Sequence, residues 1–402
     1  MTGVLTTRRT APPDSPGALT VLLFATTLSV LAGAVIGPVL PTVRDEFGLD
    51  ATTAGLVMTA HSLVIALTSP VVGRLIDRHG FRMPLAVGLL VYGVAGSVGM
   101  VTDSYAALMA SRIVFGLGAA ALFSATTVAM TTLYTGARRD RVMGWRSSAT
   151  SLGGIVWPLV GGALGTLTWH APFAVYLVGL PLGLATLLCL PRTATPPART
   201  RSRALTLLRD HPRLVAALGL QAALSVLLYC IVIYLPLRLD ETGVTSPALI
   251  SLFPAAANLA ASLIGFGYAR LRARLSYPTL LRTSVALWAG GFLLLGTAAH
   301  PVLLALGAAV FGIGQGIAFP ALTVLVADAV SPEHRGIATS LSGTTIFAAQ
   351  FATPLAIGPL TVAAGIDDIY LTLAAALAVS TVLSLLPRRT TARRGTPSRR
   401  PR

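Results

Sequence analysis

Twelve long apolar runs, each set off by a short polar segment, organise this chain. They lie at about 18–41, 52–73, 83–102, 104–131, 142–166, 170–190, 213–238, 246–269, 278–299, 301–327, 335–362 and 367–386, each close to the ~20 residues a helix needs to cross a bilayer. The pattern predicts an all-α integral membrane protein with twelve transmembrane helices. The one long internal polar stretch, 191–212, is rich in Pro and Arg and reads as a linker between two six-helix bundles, 18–190 and 213–386. Residues 1–17, with Pro12-Pro13 and Pro16-Gly17, read as a disordered lead, and 387–402 as a disordered tail.

The second half repeats the first. Leu40-Pro41, Asp45-Glu46 and Gly48 recur as Leu235-Pro236, Asp240-Glu241 and Gly243. Arg74-Leu75 and Arg78 recur as Arg270-Leu271 and Arg274, Phe115-Gly116 and Gly118 as Phe311-Gly312 and Gly314, and Pro158 and Gly162 as Pro354 and Gly358. Such duplicated apolar halves are a common transporter plan, with the substrate path between the copies.

Composition sharpens this picture. The chain is 54% hydrophobic and only 11% charged, with a mean hydropathy of +0.76, whereas soluble domains carry about 25% charged residues. The net charge of +16 would suit a nucleic-acid binder, but its distribution argues otherwise. Every basic Lys/Arg position is Arg. With the N-terminus inside, only Arg44 and Arg238 fall outside and only Arg112 within the membrane; the rest face the cytoplasm, most of them in clusters at 74–82, 138–146, 192–213, 270–282 and 388–402. Opposite loops carry Asp45, Glu46, Asp50, Asp103, Asp240, Glu241, Asp367 and Asp368. This positive-inside bias places both termini in the cytoplasm of a multi-pass protein of a bacterial cell membrane, with no nucleic-acid partner and a generic attraction of Arg-rich loops to anionic lipid. Cys189 and Cys230 lie in apolar runs and imply neither a disulfide framework nor a metal site. Residues 1–34 imitate a secretory signal, but 18–41 has a counterpart in the second repeat, so the segment is read as a retained span.

Gly73-Arg74-Leu75-Ile76-Asp77-Arg78-His79-Gly80-Phe81-Arg82 resembles the signature loop of the major facilitator superfamily, with Phe81 where a basic residue is usual. Leu108, Arg112, Gly116 and Gly118 resemble that family's fourth-helix motif, and Trp169-His170-Ala171-Pro172-Phe173 its aromatic entry into helix 6. Gly153-Gly154, Trp157-Pro158 and Gly161-Gly162 are similar to the glycine-rich motif of the twelve-helix drug–proton antiporters, with Trp157 replacing a Gly. The resemblance covers roughly 18–387. It implies alternating access about a central site, and gating by Gly73, Asp77, Arg78, Gly80 and Arg82, with Asp77 meeting the positive N-terminal end of helix 11 near Ser331-Pro332-Glu333. The second copy has Ala273 opposite Asp77, so the fold is made without that acid.

Arg112 is the one clear intramembrane charge in this reading. Burying it costs at least ~2.5 kcal/mol, so it should face the cavity or a partner; the plainer alternative is snorkelling from ~12 Å inside the outer surface. Gly154, Pro158, Gly161 and Gly162 permit close helix packing and a kink. Trp157 either fills a packing gap or offers a stacking surface. Gln221, Tyr229 and Gln315 are candidate substrate contacts, because the resemblance places spans 1, 4, 7 and 10 at the cavity. Asn258 and Gln350 read as interhelical glue. His61 could titrate near neutral pH or pack as a neutral ring. No Asp or Glu occupies the middle of a span, which disfavours a strongly cationic substrate.

No soluble domain, Walker motif, nucleophile–base set or metal spacing stands out, so no enzyme activity and no cofactor are expected. The expectation is a monomeric secondary transporter for small amphiphilic drugs or metabolites, exporting them in exchange for protons. A transporter of one metabolite or organic anion is the alternative within this fold, and a non-transporting sensor or scaffold the alternative outside it.

Overall fold

A computed structural model describes residues 16–192, 204–331 and 334–385, which are almost wholly helical and contain no strand. The first half comprises α1 (Pro16–Ala34), α2 (Leu40–Glu46), α3 (Ala51–His79), α4 (Arg82–Ser97), α5 (Tyr105–Leu133), α6 (Gly136–Gly165) and α7 (Gly179–Cys189). A linker helix, α8 (Ala204–Asp210), precedes α9 (Pro212–Glu241), α10 (Pro247–Arg274), α11 (Tyr277–Thr297), α12 (Pro301–Asp328), α13 (Arg335–Ala364) and α14 (Ile366–Leu385). The lead and tail expected to be disordered lie outside the described residues, except that α1 takes in Pro16 and Gly17.

Among the described residues, 11 helical segments are long and apolar enough to cross a membrane. The twelfth expected span is α6, 30 residues and so about 45 Å long, whose apolar content is diluted by Gly, Ser, Thr and Arg. The first span is broken between α1 and α2 by a 3-10 turn, Gly37–Val39, where Pro38 and then Pro41 withhold backbone N–H groups. The sixth enters through the 3-10 segment Ala171–Val178 before α7.

Several helices outrun their apolar runs. The segment 73–82, expected as a loop, is helical through His79, and only Gly80 and Phe81 separate α3 from α4. The arginines at 138–146 likewise ride on the first turns of α6. Hydrophobicity marks the hydrocarbon thickness, whereas the backbone ladder continues into the headgroup layer until something stops it. For α3 the stop is Gly80, at a φ of 73° that a side chain would resist. At the start of α3, Asp50 accepts from the Thr53 hydroxyl and amide; these bonds hold its carboxyl below the usual value, so this cap is lost only as pH falls through that lowered range.

The repeat reappears as equivalent packing. A Cβ on Gly116 of α5 would lie 2.6 Å from Val64 on α3, and one on Gly118 2.5 Å from the Tyr92 amide nitrogen on α4. In the second copy Gly312 and Gly314 of α12 stand in the same way against Ala257 on α10 and Trp288 on α11. Tyr176 donates to the Ala32 carbonyl at 2.9 Å, and Tyr370 to the Cys230 carbonyl at 3.3 Å, so each half ties its sixth span to its first. The short linker helix, α8, is docked on protein: Leu207 is buried with Leu214, Leu218, Val326, Val330 and Ala338.

The halves meet chiefly along two helix pairs, α3 with α13 and α6 with α10. Their closest approaches lie at the end whose loops are acidic: a Cβ on Gly55 would lie 2.6 Å from Pro354, and one on Gly162 2.6 Å from the Pro247 carbonyl. At the arginine-rich end of the same four helices Asp77, Arg141, Gly144, Arg270 and Arg335 are exposed.

Candidate functional site

Residues from both halves meet in a polar node on this seam. Ser62 of α3 donates to the Gln350 side-chain carbonyl on α13 at 3.1 Å, and the Tyr229 hydroxyl of α9 reaches Ser62. By helix rise, Ser62 is roughly 17 Å from the acidic end of α3, near mid-membrane depth. Thus Tyr229, expected at the substrate path, and Gln350, expected as glue, are brought together by Ser62. No sequence signal had marked that serine among the chain's many. His61, one residue earlier, turns away from the node. It is buried edge-on to Phe115 at 5.5 Å, and its Nδ1 has no hydrogen-bond partner.

Behind His61 lies Arg112, fully enclosed by α4, α5 and the aromatic entry to α7. Its Nη2 donates to the Gly96 carbonyl at 2.7 Å and to that of Ala95 at 3.4 Å, at the end of α4 where carbonyls run short of helical partners. The guanidinium lies 4.8, 5.3 and 5.2 Å from the ring centres of Phe115, Phe173 and Tyr176, a cation–π cage. The side chain is therefore held by protein throughout and does not snorkel. The second copy builds the same box without a charge. There Phe292 packs on Phe311 and Tyr370, the repeat equivalents of Phe115 and Tyr176. Phe292 stands opposite Gly96 in the repeat and Ala308 opposite Arg112, so the bulk has moved from one helix to the other.

In the signature segment, Asp77 is exposed and makes no ion pair with any described residue, while Gly80 and Phe81 are buried. Arg82 donates to the Leu187 carbonyl on α7, pinning the start of α4 to the sixth span. Gly73 and Arg78 ride on the last turns of α3. The expected N-cap of helix 11, Ser331, instead pairs with His334 at 2.9 Å, and α13 starts at Arg335 with His334 in the cap position. Pro332 and Glu333 lie outside the described residues.

The glycine-rich motif of α6 has two faces. Gly153 and Gly161 lie against Thr27 and Val35 in the first span, whereas Gly154 and Gly162 lie against Asn258 and Ser251 of α10 in the other half. Pro158 is buried between them. Trp157 donates to the Thr27 carbonyl at 3.0 Å and meets Phe24 edge-on, so its indole is laid on α1. Gln221 accepts from Ser342 at 2.7 Å within the second half, and Gln315 is half-buried on α12; neither joins the node.

One charged residue was misplaced by sequence. Arg146, grouped with the cytoplasmic cluster, turns inward from α6, donates to the Thr127 hydroxyl at 3.0 Å, and lies 6.0 Å from the Phe123 ring centre. Its usable signal was position alone: it stands one turn inside the expected start of that span.

The Major Facilitator Superfamily model matches residues 22–277 and 244–402. Multidrug resistance protein 1 of Bacillus subtilis (strain 168) is 29% identical over 155 residues, 39% of this chain and 40% of that protein. Cephamycin export protein CmcT of Amycolatopsis lactamdurans is 31% identical over 202 residues, 49% of this chain and 40% of that one. Quinolone resistance protein NorA of Staphylococcus aureus (strain MSSA476) is 25% identical over 222 residues, 55% and 56%. The matches therefore span between 40% and 56% of these relatives' own lengths. In fold, the chain is similar to a bacterial homologue of the human lysosomal transporter Spinster, inward-facing and unoccupied, with a TM-score of 0.73 and 16% identity over 92% of this chain and 95% of that one. Peptide transporter POT gives 0.75 and 16% over 91% and 93%.

Proposed function

This chain belongs to the Major Facilitator Superfamily, and on that premise we propose that it is a secondary transporter that exports small amphiphilic compounds across a bacterial cell membrane in exchange for protons. The observation that carries the reading is the seam: α3 with α13 and α6 with α10 close at the acidic end, while the arginine-rich turns of the same helices are exposed. With the arginine-rich end cytoplasmic, as positive-inside bias requires, this is an inward-open state. Helix pairs that can close at either end are what alternating access needs. The export direction is supported by the relatives, two named for resistance and one for export.

In this reading Asp77 is the gate. Exposed when the cytoplasmic end is open, it meets the positive N-terminal end of α13 when that end closes. Gly73, Arg78, Gly80 and Arg82 shape and anchor the turn that carries it. The path runs past Ser62, Tyr229 and Gln350, with Gln221 and Gln315 further along the cleft. His61, one residue from Ser62 with a buried and unpartnered Nδ1, is the imidazole to which we assign the proton. The transporter works as a monomer among lipids, without a cofactor.

The test is flux. Full-length protein is screened by thermal shift against a panel of amphiphilic dyes and antibiotics, and binders are followed in vesicles under an imposed pH gradient. Gradient-driven movement is expected. Asp77→Asn is expected to cut it by about tenfold or more, as loss of a helix-end contact unbalances the two states, with melting temperature unchanged. Undiminished flux in that variant would remove Asp77 from the gate, and no flux of any binder would overturn the transport reading.

A further inference from the structure

At the arginine-rich end, where α3 turns into α4, the first half leaves a hollow that the gate does not use. Its volume is about 430 Å³, within the ~300–1,000 Å³ usual for small-ligand sites. His79 and Gly80 of the turn, Arg82 and Met83 at the start of α4, Leu187 of α7 and Arg192 line it. Arg82 is half-buried, and its Nη2 donates to the Leu187 carbonyl, which fixes the guanidinium on the seam between α4 and α7. Arg192 is exposed. Neither arginine joins any of the ion pairs among the described residues, and no Asp or Glu lines the cavity. The His79 Nδ1 donates to the Leu75 carbonyl at 3.2 Å, so the fixed charges of the hollow are the two guanidiniums. The start of α4 adds to them: no side chain caps this 16-residue helix, and its positive end lies at the cavity.

The apolar wall continues into lipid-facing surface. Met83 begins an exposed row on α4, followed at helical spacing by Val87, Leu90 and Val94. Leu90 lies against α7, where a Cβ on Gly183 would be 3.3 Å from it, so the row follows the α4–α7 seam away from the cavity. Leu184 and Leu188 are exposed on the adjoining turns of α7. A soluble anion gains nothing from such a row, whereas an acyl chain does.

We propose that this hollow binds the phosphate headgroup of an anionic phospholipid, with Arg82 and Arg192 on the phosphate and an acyl chain along the row that starts at Met83. Basic pockets between membrane helices suit anionic headgroups, and a guanidinium suits phosphate oxygens better than an ammonium does. Every lining residue precedes the linker helix, and α4 packs on α7 within the first half. The bound lipid therefore braces α4 on α7, and the site does not depend on what the protein transports.

The experiment titrates purified full-length protein in mixed micelles with dioleoylphosphatidylglycerol, with dioleoylphosphatidylcholine, and with inorganic phosphate alone. Native mass spectrometry counts retained lipid, and melting temperature is followed alongside. Wild type is expected to retain the glycerol lipid about tenfold more tightly than the choline lipid, and to melt higher with it. Arg192→Gln is expected to cut that preference about fivefold, the worth of one arginine beside an anionic surface. Arg192 is exposed, so this variant should fold. Arg209 of α8 is an exposed arginine that does not line the cavity, and Arg209→Gln should leave the preference within about twofold. Equal retention of the two lipids by wild type, or an equal loss in Arg192→Gln and Arg209→Gln, would overturn the site. Inorganic phosphate that displaces the lipid and raises the melting temperature as much would reassign the hollow to a free anion and overturn the lipid assignment.

Discussion

Replacing Arg112 with Ala is expected to destabilise the protein by about 3–5 kcal/mol, the range for removing a large buried side chain together with a charge-assisted hydrogen bond. Three losses coincide. The Gly96 carbonyl loses its donor at 2.7 Å, three aromatic rings lose their shared cation, and a fully enclosed volume empties. The void cannot fill from Ala308-like economy, because the second copy supplies the missing bulk through Phe292 where the first has Gly96. Arg112→Met separates the contributions: it restores volume and leaves the carbonyls unsatisfied, so it should recover more of the melting temperature than Arg112→Lys, whose single ammonium fits neither the cage nor both carbonyls. Thermal melting in detergent, followed by size-exclusion chromatography, reads all three variants. An Ala variant that melts like the wild type would show that the charge contributes nothing to the fold.

The second large effect is expected from Gly162→Leu. A Cβ there would lie 2.6 Å from the Pro247 carbonyl, and a backbone atom cannot rotate away as a flexible side-chain tip can. Gly153 and Gly161 lie on the other face of α6, against the first span, so packing within the first half is untouched. The variant should therefore fold, with α6 and α10 held apart at the acidic end. Transport is expected to fall by about tenfold or more, because one of the two end states needed for alternation is lost. In a background lacking Cys189 and Cys230, a cysteine at Ser251 should become more reactive toward a water-soluble maleimide. Gly144→Leu is the control: Gly144 is on the same helix at the arginine-rich end, with no neighbouring atom within 4 Å, and that variant should transport normally. Equal flux in Gly162→Leu would mean that close contact at this point is not part of the cycle.

Some of this site was readable beforehand and some was not, for identifiable reasons. The cost of a guanidinium in hydrocarbon was enough to single out Arg112. It did not say that the side chain would point at the end of α4 instead of the cleft, because that depends on which helix stands across from it. Arg146 shows the opposite case. In the chain it follows Arg138, Arg139 and Arg141 and looks like one more topogenic charge; only the approach of α5 turns it into a half-buried cation on Thr127. The node at Ser62 was invisible because a membrane serine is common and its partners come from α9 and α13, far along the chain. The glycine pairs were the reverse: their spacing promised close packing, and the structure divides them between two faces of one helix.

By itself, the sequence determined that the chain is helical, membrane-embedded, duplicated and arginine-rich at one end. Those properties are set by local terms: apolar length against bilayer thickness, small residues at helical spacing, and the placement of charge in loops. The tertiary structure alone decided where helices stop, which half each buried polar group faces, and at which end the two halves close. These depend on contacts between segments far apart in the chain, such as Ser62 with Gln350 or Gly162 with Pro247, and on packing energies that exist only once both copies are in place.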